Sequence, residues 1–171
     1  KDETVENMYI EYQVGGTDGE WIRGDEYTTD KNETIYVRLV DETGQGEEEN
    51  WIPVIVDNID TVDPNKFTIE TTSTTSSITV WSEEGTTDPE VEGAGENVTG
   101  IKGYQYRLDE NGDWEPAEPT QEKTYTFPQQ LDQGSTHKVY MKAIDKAGNE
   151  TIIEKEVTVK RIEAGETGIQ Y

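Results

Sequence analysis

The chain contains no cysteine in 171 residues. No disulfide framework can hold it, so its cores must be closed by packing alone. That fits a cytosolic protein, or a bacterial surface protein whose sandwich cores suffice. Basic residues are scarce: 14 Lys and Arg stand against 38 Asp and Glu, a formal net charge of −24. Phosphate backbones are bound by clustered cations, which are missing, so nucleic acid is excluded as a partner. Anionic membrane surfaces are excluded on the same ground. No apolar run is long enough to insert directly into a membrane. No signal peptide and no initiator Met are present, and Lys1 is expected to begin an excised piece. Helical signals are also lacking, with no window placing apolar residues at i, i+3, i+4 and i+7 between caps.

What remains is strand vocabulary. Thr, Val, Ile and Tyr dominate the patterned segments, and turn residues recur at roughly ten-residue spacing. Only 30% of residues are apolar and 9% aromatic, enough for the thin layer between two sheets.

The chain writes the same pattern twice. "IEYQVGGTDGEW" (residues 10–21) matches "YQYRLDENGDW" (residues 104–114). Each is an alternating strand running through a Gly/Asp turn to a Trp, so each Trp is expected to fold back over its own hairpin. In the second copy Asn111–Gly112 is the hairpin signal, because both tolerate positive φ. "IYVRLVDETGQG" (residues 35–46) likewise matches "VYMKAIDKAGNE" (residues 139–150). Ile35, Val37 and Leu39 are expected to face a core, as are Val139, Met141 and Ala143. A closing strand follows each: Ile52, Val54 and Val56, then Ile153, Val157 and Val159.

Two further alternating segments, "FTIETTS" and "SSITVWS", precede the second copy alone. The expected organisation is a partial module over 1–57 with later strands only, a linker at 58–64, a complete seven-strand sandwich over 65–162, and a tail at 163–171. The expected core of the complete module holds Trp114, Tyr106, Leu108, Val139, Met141 and Ile78. The fold class is all-β, with tandem immunoglobulin-like antiparallel sandwich modules.

Catalytic vocabulary is thin. His137 is the single histidine, at a strand entrance. Ser73, Ser76, Ser77 and Ser82 lie in strand-like Thr/Ser sequence. Glu83, Glu84, Asp88, Glu90 and Glu92 share one acidic loop rather than flanking a cleft as glycosidase carboxylates do. Asp57, Asp60 and Asp63 crowd the linker and are the candidate calcium ligands, since hard cations want several convergent oxygens. Asn58 adds an oxygen there. Asp145 with Asn149, and Asp41 in the first copy, close turns with similar potential. Trp51 and Trp81 are candidates for stacking on sugar rings. Sequons occur at Asn32, Asn97 and Asn149.

"GIKGYQYRLDENGDWEP" followed by "HKVYMKAIDKAGNE" resembles the immunoglobulin-like and fibronectin type III-like repeats of bacterial surface and secreted proteins. The marks are Tyr-x-Tyr-x-Leu-Asp, the Trp after the hairpin, and Ala-x-Asp-x-Ala-Gly-Asn. The family often places a Tyr six residues before the Ala, where this chain has His137 and, in the first copy, Glu33. The resemblance implies a non-catalytic extracellular spacer or adhesion module, at a bacterial cell surface or secreted. Its partners would be neighbouring modules of the same parent chain and a surface protein or glycan of a host or neighbouring cell. Two alternatives stand beside it: an accessory, glycan-binding module of a secreted carbohydrate-active enzyme, and a filament subunit completed by strand donation. The tail "EAGETGIQY" is the candidate donor for the latter.

Overall fold

The computed structural model describes residues 8–15, 19–42 and 50–162. The turn of the first copy beyond Glu42 and the candidate donor tail lie outside the described residues. The chain divides into two compact units: residues 1–60 with 91–98, and residues 61–90 with 99–171. No α-helix occurs among the described residues, and none is therefore long and apolar enough to cross a membrane.

Unit 2 is a seven-strand antiparallel sandwich. One sheet has the order β5 (Glu70–Ser73), β6 (Ile78–Trp81), β9 (Thr124–Thr126). The other has the order β11 (Glu150–Thr158), β10 (Thr136–Asp145), β7 (Ile101–Leu108), β8 (Glu115–Thr120). The period-2 pattern decides what goes inside. Leu108 pairs Val139, Tyr106 pairs Met141 and Tyr104 pairs Ala143, so all six share a face. Ile78 and Val80 come down on them from β6, and Phe127 closes the layer. Tyr106, Ile78, Val80, Val139 and Met141 are fully buried. Burying such side chains stabilises by about 1.5–3 kcal/mol each before entropy is counted.

Trp114 corrects the expected core. It is half-buried on the opposite face of the sheet, edge-on to Tyr140 with ring centroids 6.4 Å apart. Lys142 Nζ sits 4.2 Å from its ring centroid, and the Arg107 guanidinium lies 4.7 Å from it and 4.1 Å from Tyr140. Alternation places Arg107, Tyr140 and Lys142 outward, and a Trp just past the hairpin reaches that side. Lys142 is buried yet stays solvated by substitution: Glu150 lies 3.2 Å away and the indole face covers it.

The hairpin chemistry also differs from expectation. The positive φ falls on Asp109, at 63°, rather than on Asn111. Gly112 is required for closeness: a Cβ there would meet the Leu108 carbonyl oxygen at 2.1 Å.

Unit 1 has one four-stranded antiparallel sheet, in the order β2 (Ile22–Arg23), β1 (Tyr9–Val14), β3 (Glu33–Val40), β4 (Ile52–Val56). Tyr12 pairs Ile22 and Val37, Val37 pairs Ile52, and Ile35 pairs Val14 and Val54. These residues therefore share one face with Ile10 and Leu39. The other face carries Trp21, Tyr36, Arg38 and Trp51. Arg38 lies 3.8 Å from the Trp21 ring centroid and binds Glu11 at 2.8 Å, while Trp21 and Trp51 meet edge-on at 4.9 Å. Ile35 is buried, but Leu39, expected to face a core, is 57% exposed.

The cost of truncation should follow this division. Met141→Ala should destabilise unit 2 by about 2–5 kcal/mol. Trp114→Ala should cost less than that, because it removes a half-buried ring and two cation contacts without opening a cavity. Urea denaturation followed by far-UV circular dichroism measures both. A Trp114→Ala loss larger than that of Met141→Ala would place the indole back in the core.

Candidate functional site: acidic turns and the histidine corner

Most residues with chemical potential in unit 2 are engaged in holding turns. Asp145 ends β10 fully buried. Its Oδ1 accepts the Ala147 and Asn149 main-chain N–H groups at 2.9 and 2.8 Å, and its Oδ2 accepts the Asn149 side-chain amide at 2.9 Å. The Asp145 N–H donates to the Asn149 carbonyl at 3.0 Å, and Gly148 takes φ of 96° to close the loop. The Asp-x-Ala-Gly-Asn motif is thus an Asx-type turn. The carboxylate takes up N–H groups that the ladder leaves over. Asp88, in the acidic loop, similarly accepts the Gly100 N–H at 2.9 Å.

The three candidate calcium ligands sit differently from one another. Asp57 is exposed, and its carbonyl accepts the Gly95 N–H at 2.6 Å within unit 1. Asp60 is buried and is the last residue of that segment of unit 1. Asp63 is exposed and belongs to unit 2. Asn32, a sequon residue, acts as a bracket in unit 1. Its side chain accepts from Ile59 N–H at 2.9 Å and donates to the carbonyls of Ile59 at 2.8 Å and Glu92 at 3.1 Å. Neither candidate indole is a bare platform. Trp51 packs against Trp21 and Tyr36, and Trp81 donates its indole N–H to Glu83 at 3.1 Å.

One constellation could not be read along the chain. His137 Nδ1 lies 2.9 Å from Asp109 Oδ2, and its Nε2 lies 2.8 Å from Ser135 Oγ. Asp109 is 28 positions away, and only the β7–β10 pairing brings it in. The Ser135 hydroxyl also donates to the Asp132 carbonyl at 2.6 Å, so serine, imidazole and carboxylate form one chain of contacts at this corner. Asp109 also accepts the Lys138 N–H. The group pins the hairpin to the entrance of β10.

Tyrosines under the sandwich are held neutral. Burial pushes the Tyr125 hydroxyl up to about 12, helped by its hydrogen bond to Glu115 at 2.8 Å and by that carboxylate's charge. Burial raises Tyr106 as well, followed by the neighbouring Tyr104 and Glu122. Its hydroxyl donates to the Glu122 carbonyl at 2.6 Å.

Two measurements check these assignments. Asp145→Ala should destabilise unit 2 by about 3 kcal/mol, since it strands buried N–H donors, whereas Asp109→Asn should cost less. Equal losses in urea denaturation would remove the special role of the turn. A raised Tyr125 pKa means that its contribution to stability is complete below the ordinary value of 10.0 and is lost as pH rises through about 12. Spectrophotometric titration at alkaline pH should resolve this late tyrosine, and Glu115→Gln should move it earlier. An unchanged titration would show that Glu115 has no part in it.

No protein-family model matches the chain, and no curated protein matches it. Among solved structures, it is similar to the FN1–FN3 domains of chicken CNTN1, at 14% identity over 91% of this chain, with a TM-score of 0.37. It spans about half of that structure, 56% of its length. It is also similar to the chicken interferon gamma receptor alpha chain, at 12% identity, over 91% of this chain and 85% of that one, with a TM-score of 0.32. The two sheets of unit 2 themselves define the fold class, an immunoglobulin-like antiparallel β-sandwich.

Proposed function

We propose that the chain is a non-catalytic structural segment of an extracellular bacterial surface protein, serving as a spacer or display module. The observation that carries this reading is the use made of its polar chemistry. Asp145, Asp109, His137, Ser135 and Lys142 are each tied to a turn or a sheet face. The recurrence of one sheet plan in both units supports the same reading, because reach is gained by repeating a module. The formal charge of −24 favours solubility and keeps like-charged neighbours apart. In this proposal calcium serves as a stiffening ligand of acidic groups, Asp57, Asp60 and Asp63 being the residues concerned, and a glycan is the partner of an adhesive variant of the same role.

The test combines thermal melts with ligand titration on the whole chain. A spacer should show no change in tryptophan fluorescence with soluble cell-wall or host polysaccharides, and no hydrolysis of ester or glycoside substrates. Saturable glycan binding would replace the spacer by the accessory-module reading. Calcium at millimolar concentration should raise the melting temperature relative to chelator at equal ionic strength. Identical melts would remove calcium from the proposal.

A further inference from the structure

We propose that the apolar face of unit 1 is the seat of a β-hairpin joined to the N-terminal side of β1. The hairpin lies across β1, β3 and β4 and pairs through its second strand with residues 26–28.

The two sheets share a register on their first three strands. Tyr12 pairs Val37 as Tyr106 pairs Met141, and Val37 pairs Ile52 as Met141 pairs Ile153. On β1 and β3 the face of unit 1 matches the face that unit 2 buries under β5 and β6, whereas on β4 Ile52 matches half-buried Ile153 and Val54 matches exposed Lys155. Tyr104 and Ala143 are 4% and 0% exposed, whereas their counterparts Ile10 and Leu39 are 41% and 57% exposed. Ile52 and Val54 are exposed beside them. A trough of about 160 Å³ runs over this face, lined by Ile10, Tyr12, Tyr27, Ile35, Val37 and Val54. Ile78 and Val80 occupy the corresponding position in unit 2.

A second, independent observation fixes the edge. Tyr27 meets Tyr12 with ring centroids 5.2 Å apart and planes tilted by 54°, where Tyr125 stacks on Tyr106 at 5.1 Å with planes 5° apart. Residues 26–28 therefore border the β1 tyrosine as β9 borders that of β7, with the ring turned. In unit 2, β9 is a strand because β6 pairs with it: Thr79 with Thr126, Val80 with Tyr125 and Trp81 with Thr124. Residues 26–28 are in no strand and make no main-chain hydrogen bond to another strand among the described residues. They carry strand vocabulary at a sheet edge with no strand to pair.

The occupant follows from what seats the same site in unit 2. It is a hairpin whose inner strand places β-branched aliphatics at alternate positions, as Ile78 and Val80 do, with hydroxyl residues outward. It precedes β1, as β5 and β6 precede β7. A second copy of this chain is disfavoured by the formal charge of −24 on each.

The test grafts a copy of residues 64–90, through a flexible Gly/Ser linker, ahead of Met8 in the whole chain. Amide hydrogen exchange at Tyr27 and Thr28 should slow by about 100-fold or more, and 1-anilinonaphthalene-8-sulfonate fluorescence should fall. A graft with both of its inner aliphatics (the copies of Ile78 and Val80) changed to Asp should give neither effect. Unchanged exchange and dye binding in the intact graft would overturn the proposal. So would equal protection by a free peptide of residues 66–83, which would assign the seat to a separate chain. Sedimentation of the ungrafted chain as a dimer that Val54→Lys dissolves would assign it to a second copy. Should the graft fail to fold, the ungrafted chain decides: Leu39→Lys with Ile52→Lys should abolish dye binding, and persistence of binding would show that this face is not open.

Discussion

A β-sheet has two faces, and water must be kept from at least one. That constraint organises everything else in this chain. In unit 2 it is met by a second sheet, and the result is a dry layer in which Ile78 and Val80 rest on Tyr106 and Met141. Sheet-on-sheet packing brings side chains from two pleated surfaces into register, so the aliphatic and aromatic positions must alternate on both. They do, and unit 2 closes. Among the described residues, unit 1 presents a similar face on β1 and β3 without a second sheet.

The outer faces meet a different requirement. They are polar by alternation, yet both units use the same device to keep them ordered. A Trp after the first hairpin covers a cation on the next strand: Trp21 over Arg38, and Trp114 over Lys142. A neighbouring tyrosine, Tyr36 or Tyr140, borders each cluster. Carboxylates complete the pairs, Glu11 on Arg38 and Glu150 on Lys142. In so acidic a chain, Arg38 and Lys142 each offset a carboxylate and fill space with their aliphatic stems.

Turns hold the remaining order. Asp145 and Asp109 each gather donors that the ladder leaves over, and His137 holds the entrance of β10 to Asp109. The polar side chains at these turns spend their hydrogen bonds on one another and on nearby main-chain groups.

Much of this was legible in the sequence. Period-2 alternation named the inner residues of β7 and β10, because a strand offers only two directions. The internal repeat announced equal registers in the two units, and the Asp-x-Ala-Gly-Asn string announced a turn. Three things were decided only by the tertiary structure. Trp114 went to the outer face, because its direction depends on where the hairpin's backbone leaves the sheet, which Asp109 sets with its positive φ. The Ser135–His137–Asp109 chain depends on a pairing between residues 28 apart. The exposure of Leu39 and Ile10 depends on whether a second layer is present. Sequence pattern fixes which face of a strand is apolar; it does not say what covers that face, because burial is a property of two surfaces and a strand's own residues describe only one.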